Sequence, residues 1–131
     1  MIILSRGRSD NVTTVNILPD YIEMLVPESE KHLYEAKYPN PILTIPDDIM
    51  GLGRVRNWVL DNFKEKIIIM IDDDINKCYC ISGLHARNIK DKDEMLQIAK
   101  WMKLVATDFE ANKAQIKSEV EALCARFPIY E

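Results

Sequence analysis

The sequence is poor in the residues on which several common architectures depend. It has 3 cysteines, an odd number with two of them in "CYC", which supplies neither a disulfide framework nor the Cys-x-x-Cys spacing of a structural zinc site. Buried or half-buried thiols are expected instead. The 2 histidines, His32 and His85, have no partner at metal-ligand spacing and read as surface or packing residues. No run approaches the roughly 18 to 20 apolar residues of a membrane span, and "MIILSRGRSD" reaches an arginine too early for a secretory signal, so a cytoplasmic protein is expected. An excess of basic charge is also missing. The net charge of -4 argues against a surface that coats nucleic-acid backbones nonspecifically, while leaving room for a local basic pocket. There is no internal repeat and no low-complexity stretch.

What is present fits one globular domain. A chain of 131 residues with 47% hydrophobic and 29% charged residues can bury one core but not two. The expected organisation is a single domain over 1–131, with an α/β part over 1–90 and a helical part over 91–131. Short apolar runs "IILS", "YIEMLV" and "PILTIP" read as strands bounded by glycine, proline and polar turn residues. A brief helix is predicted over "VTTVNIL", a second over "ESEKHLYEAKY", and a third over "RVRNWVLDNF" with Val55, Trp58, Val59 and Phe63 on its buried side. "KIIIMI" is the strongest strand, its continuous apolar character suiting a central position covered on both faces. Strands alternating with helices predict an α/β fold with a mostly parallel sheet. "NKCYCIS" alternates and reads as a further, edge-proximal strand.

From Asp91 to Pro128 nothing breaks a helix. Met95, Ile98, Met102, Val105, Phe109, Ile116, Val120, Leu123 and Phe127 follow a near three-four spacing interrupted at Asn112, which predicts one long helix or two consecutive ones. The apolar stripe suits packing on the sheet, or a seam for self-association into a homo-oligomer.

The chemistry concentrates at "IDDDI", where the apolar strand runs into Asp72, Asp73 and Asp74. If extended geometry continues, Asp72 and Asp74 point one way and Asp73 the other. Two carboxylates held close raise each other's pKa unless a cation neutralises them, and hard oxygen donors suit Mg2+ or Mn2+. Such ions keep waters and take substrate phosphates as further ligands, so the pair would fit a nucleoside diphosphate. A solvated acidic turn is the alternative, since aspartate is common where chains reverse. In "GLGRVRN", Gly51 and Gly53 precede a predicted helix whose free N–H groups and dipole favour an anion; the same glycines would also serve as ordinary turn residues. A dinucleotide fingerprint fails here. Arg56 stands at its third glycine position, and "DDIM" intervenes where a tight strand-to-helix turn is required. "SRGR" ends the first strand, so in a parallel sheet Arg6 and Arg8 emerge on the same rim as the aspartates.

Together, the strand ending in "SRGR", the segments "LVPESEKHLY" and "IPDDIMGLGRVRNWVLDNF", and the strand into "IDDDI" resemble the TET-associated glycosyltransferase family of phages, within the GT-A nucleotide-sugar glycosyltransferases. The similarity runs from about residue 2 to residue 76. It implies a Rossmann-like GT-A fold in which Ser5, Arg6, Gly7 and Arg8 border the nucleotide pocket. By the same resemblance Gly53, Arg56 and Asn57 lie near the nucleotide-sugar, Asp72 and Asp73 contact it, and Asp72 and Asp74 hold Mn2+ or Mg2+ against the diphosphate. The implied activity is sugar transfer from a nucleotide-sugar, a UDP-sugar first, with hydroxymethylpyrimidine bases of phage DNA as acceptor. GT-A enzymes carry an acceptor-binding half after Asp-x-Asp; here 77–131 follow, and no general base is assigned among them. A noncatalytic nucleotide-binding or oligomerising module is the alternative.

Overall fold

The computed structural model describes residues 1–64, 67–82 and 85–125; the expectations placed on Lys66, Phe127 and Pro128 fall outside them. The chain divides into two compact units, Met1–Lys77 and Cys78–Glu131.

In the first unit four strands, β1 (Ile2–Leu4), β2 (Glu23–Pro27), β3 (Ile42–Ile45) and β4 (Met70–Asp72), form one sheet in the order β3-β2-β1-β4. Every pairing is parallel, as the alternation of strand and helix predicted. The register explains which face each side chain takes. Leu4 is level with Leu25 on one side and with Asp72 on the other, so these three share a face, and Ile2 and Met70 join them two residues back. That face packs with Ile45 and Val59 into a buried cluster, closed by Val55, Trp58 and Phe63. The helix that supplies them, α2 (Leu52–Asn62), therefore buries the predicted side. On the opposite face Ile3, Met24 and Val26 are fully covered. Burial on both faces is what a parallel sheet requires.

The remaining segments of this unit are short. The brief helix predicted over "VTTVNIL" is a single 3-10 turn, Thr14–Asn16. The second predicted helix begins with a 3-10 turn, Glu28–Glu30, and continues as α1 (Lys31–Glu35); it buries Tyr34 completely and leaves Leu33 exposed.

In the second unit, "NKCYCIS" does form a strand, β5 (Cys78–Ser82), but not in the parallel sheet. It pairs antiparallel with β6 (His85–Ile89) in a two-stranded ribbon; a partner close in sequence is cheaper to bring together than a distant sheet edge. Two helices follow, α3 (Lys92–Thr107) and α4 (Phe109–Ala125). Of the two expected arrangements the chain takes two consecutive helices, and the backbone breaks at Asp108, before the lapse of the apolar spacing at Asn112. Asp108 leaves the helical region at φ -161°, and its carboxylate accepts the N–H of Ala111 at 3.0 Å, an N-cap for α4. Asn112 is helical, and its side-chain amide donates to the carbonyls of Leu104 at 3.2 Å and Asp108 at 2.7 Å, adding a second donor to oxygens that the Asp108 and Asn112 backbone N–H groups already reach. The two helices also meet through Glu119, which accepts from Gln97 at 2.9 Å and from the Trp101 indole at 2.7 Å. Met102, Val105 and Phe109, members of the predicted apolar stripe, are exposed.

Candidate functional site

Strand order in the sheet reverses between β1 and β4: from β1 the chain builds outward to β2 and β3, then returns to the other side of β1. The loops leaving two adjacent strands at such a point diverge and open a crevice beyond their carboxyl ends. Here the diverging loops are "SRGR" and "DDDI". Between them and the start of α2 lies a cavity of about 370 Å³. Leu4, Leu25, Ile45 and Val55 form its apolar floor, Ser5, Arg6 and Arg8 come from the first loop, Asp72, Asp73 and Asp74 from the second, and Gly51 and Leu52 from the opening of α2.

Each aspartate has its own environment. Strand geometry ends at Asp72, and Asp73 and Asp74 already lie in a turn, so strict alternation does not apply to them. Asp72 shares the face of Leu4 and looks toward α2, where its carboxylate meets the Arg56 guanidinium at 3.4 Å. Asp73 does not point away from the pocket, as alternation predicted. It lines the cavity, is only 6% exposed, accepts a short hydrogen bond from the Ser5 hydroxyl, and lies 3.4 Å from the Arg8 guanidinium. That same guanidinium reaches Asp74 at 3.1 Å. The side chains of Asp72 and Asp74 are 54% and 55% exposed, so their oxygens are open to a ligand.

The other predicted residues divide. Arg6 lines the pocket with its guanidinium tied to the carbonyls of Asp47 at 3.2 Å and Ile49 at 3.0 Å. Gly7 adopts φ 68°, a left-handed conformation natural to glycine, and its N–H donates to Glu30 at 2.6 Å. Gly53 and Asn57 are exposed and are not among the residues lining the cavity. Gly51, not Gly53, stands at the start of α2. At φ 84° it caps α2 with no side-chain hydrogen bond, so the free N–H groups of the first turn sit at the cavity wall, an arrangement that favours anions.

Two residues that support the loops around the cavity were not legible in the sequence. Tyr34 is fully buried behind the first loop; its hydroxyl pairs with Ser5 Oγ at 2.8 Å and accepts the Arg8 N–H at 3.2 Å. Burial pushes its phenol above the ordinary 10.0; the hydrogen bonds it shares with Ser5 and the Arg8 backbone oppose this, and the nearby carboxylates of Glu30 and Asp73 add to it. Thr14, fully buried as well, binds the backbone of the acidic turn. Neither belongs to a motif with a characteristic spacing, so only long-range contact identifies them.

The sequence model of the TET-Associated Glycosyltransferase family matches residues 1–113. The chain belongs to this family. The match takes in the whole parallel-sheet unit with its cavity, the β5–β6 ribbon and α3, and the fold is the Rossmann-like α/β arrangement that the resemblance implied. A serine hydroxymethyltransferase of Paracoccus denitrificans is 47% identical over 47 residues, covering 30% of this chain and 11% of that protein. The chain thus spans about a tenth of the length of that relative. No solved structure matches the chain. Among the described residues no helix is long and apolar enough to cross a membrane.

Proposed function

We propose that the cavity between β1 and β4 holds the diphosphate and ribose of a nucleotide-sugar, a UDP-sugar first, and that the protein is a metal-dependent glycosyltransferase. The observation that carries this reading is the convergence, in a member of this family, of two arginines, an uncapped helix start and an acidic turn around one crevice at the switch point of the sheet, with a third arginine, Arg56, paired to Asp72. Anion and cation sites side by side suit a ligand carrying both a diphosphate and its counter-ion.

The donor set fits Mn2+ or Mg2+ in a limited way. Among the described residues no group of three or more histidine, cysteine or carboxylate side chains is placed to hold a metal ion, so the protein offers no complete cage. Asp72 and Asp74 nevertheless present exposed hard oxygens, and Mg2+ is commonly held by one or two carboxylates with waters and substrate phosphates completing the shell. When bound, the ion would supply stabilisation of the charge that grows on the departing diphosphate. The arginines then need new partners. Exposed ion pairs such as Arg8–Asp74 and Arg56–Asp72 contribute only about 0–1 kcal/mol, so exchanging carboxylate for phosphate costs little. A guanidinium can also meet a phosphate through two parallel hydrogen bonds. Asp73 stays buried and holds Ser5 and Arg8 in place. The acceptor proposed is a hydroxymethylpyrimidine of phage DNA; the acidic overall charge leaves direct DNA contact to a surface or partner beyond this pocket.

A second reading draws on α3 and α4. Met102, Val105 and Phe109 are 55%, 45% and 46% exposed, as a seam between copies would be in a noncatalytic oligomerising module.

Calorimetry with UDP and UDP-sugars, with and without Mn2+, tests the first reading. Metal-dependent binding that disappears in Asp74→Ala is expected. Failure to bind any nucleotide under any metal condition refutes it, while a molecular mass that rises with concentration supports the second.

A further inference from the structure

We propose that Thr14 is a positioning residue that holds the acidic turn and so sets the direction of the Asp74 carboxylate beside Asp72; this rests on the nucleotide-site reading above. Once strand geometry stops at Asp72, pairing with β1 no longer dictates where the next side chains point. Something else must hold the turn. Thr14 does so with two atoms. Its hydroxyl donates to the Asp72 carbonyl at 2.7 Å and accepts the N–H of Ile75 at 3.0 Å, while its own N–H donates to the Asp73 carbonyl at 3.2 Å. One buried side chain therefore brackets the turn from the residue before Asp73 to the residue after Asp74.

The bracket has support from both sides. The Thr13 N–H donates to the same Asp73 carbonyl at 2.9 Å, and the Asp73 carboxylate is held by Ser5, which Tyr34 holds in turn. Asp73 is thus fixed through its backbone by the segment after β1 and through its side chain by β1's own end. With the central residue pinned, Asp74 is left facing Arg8, beside Asp72, which its pairing with Leu4 already turns toward Arg56. Thr14 touches neither carboxylate. Its action on a ligand passes entirely through the backbone of the turn, as with groups that orient metal ligands from behind, whose loss typically weakens metal binding about 10- to 100-fold.

The test uses the full chain with Thr14→Val, which keeps the shape and loses the hydroxyl, and Thr14→Ser, which keeps the hydroxyl. Binding of UDP with Mn2+ is expected to weaken about 10- to 100-fold in Thr14→Val and to recover to within a few-fold in Thr14→Ser. Met24→Ala, at a fully buried site in β2 that does not line the cavity, controls for lost stability: it should lower the melting temperature without this loss of affinity. Equal affinity in Thr14→Val and the parent overturns the proposal, as does a loss in Thr14→Ser or Met24→Ala as large as in Thr14→Val. Should Thr14→Val not fold, Thr14→Ala, in a chain kept folded at lower temperature, takes its place under the same criteria. Hydrogen exchange at the Ile75 amide separates this failure from failure of the nucleotide reading. If the parent binds no nucleotide, that reading falls, and protection of Ile75 that is unchanged by loss of the hydroxyl overturns the bracket as well; protection lost in Thr14→Val and kept in Thr14→Ser sustains it.

Discussion

Replacing Tyr34 with phenylalanine isolates a single hydroxyl at the back of the site. The ring is fully buried and sits 6.1 Å, centroid to centroid, from Tyr38, so phenylalanine keeps the packing. What is lost is the partner of Ser5 Oγ and of the Arg8 N–H. Ser5 retains Asp73, whereas the part-buried Arg8 N–H has no other acceptor among its described hydrogen bonds. An amide left this way costs about 1–3 kcal/mol, and Tyr34→Phe should be destabilised by that amount near neutral pH. A second signature comes from titration. The phenol is raised above 10.0 in the folded protein, chiefly by burial, so the native state holds this proton after the unfolded chain has released it. Its contribution is intact below the unfolded value and declines as pH rises through the folded one. The parent should therefore lose stability above about pH 10 by a component that Tyr34→Phe lacks. Urea titrations followed by circular dichroism at about pH 7, and again above pH 10, measure both effects. A loss below about 0.5 kcal/mol at neutral pH, against the cost expected for an unpaired buried amide, or an alkaline slope equal in the two proteins, would refute the reasoning.

Arg8→Ala should leave stability within about 1 kcal/mol of the parent, because its contacts to Asp73 and Asp74 come from a 40% exposed side chain, yet weaken UDP binding at least about tenfold through loss of a phosphate partner; calorimetry beside a melting curve reads both. In the second unit, the Glu119 carboxyl is held below its ordinary 4.5 by hydrogen bonds from Gln115 and then Trp101, with Lys100 nearby. The sign is opposite to that of Tyr34: this contribution is present above the unfolded value and lost as pH falls through the folded one. Acidification below 4.5 should shift the Trp101 indole N–H resonance in the parent and leave no matching titration in Glu119→Ala.

Local signals placed most of the parallel unit, but not its fourth strand: "KIIIMI", expected at the centre, yields only Met70–Asp72 at the edge of the described sheet, half-buried beside β1. The runs at Ile2–Leu4, Glu23–Pro27 and Ile42–Ile45, and the buried side of α2, appear where apolar patterning placed them, because a strand covered on both faces and a helix covered on one leave distinct periodicities. Patterning did not reveal what β5 pairs with, since alternation describes a strand's faces and not the edge that meets it. It also left open whether the long helix breaks at all; the backbone breaks where Asp108 can cap α4, ahead of the lapse of the apolar stripe at Asn112.

For the site, the sequence alone brought Arg6, Arg8 and the three aspartates to one rim, because parallel strands end on the same side of a sheet. Which aspartate does what was a tertiary matter. Asp72 keeps the face assigned to it because it is still paired with Leu4; one residue later the ladder is gone, and Asp73 and Asp74 follow the turn held by Thr14, Ser5 and Tyr34. Those partners come from segments 29 to 68 residues apart in the chain, beyond the reach of any local spacing. Periodicity can say that charge stands at a strand end; only the packed fold decides which of those charges is buried as a strut and which is left open to a ligand.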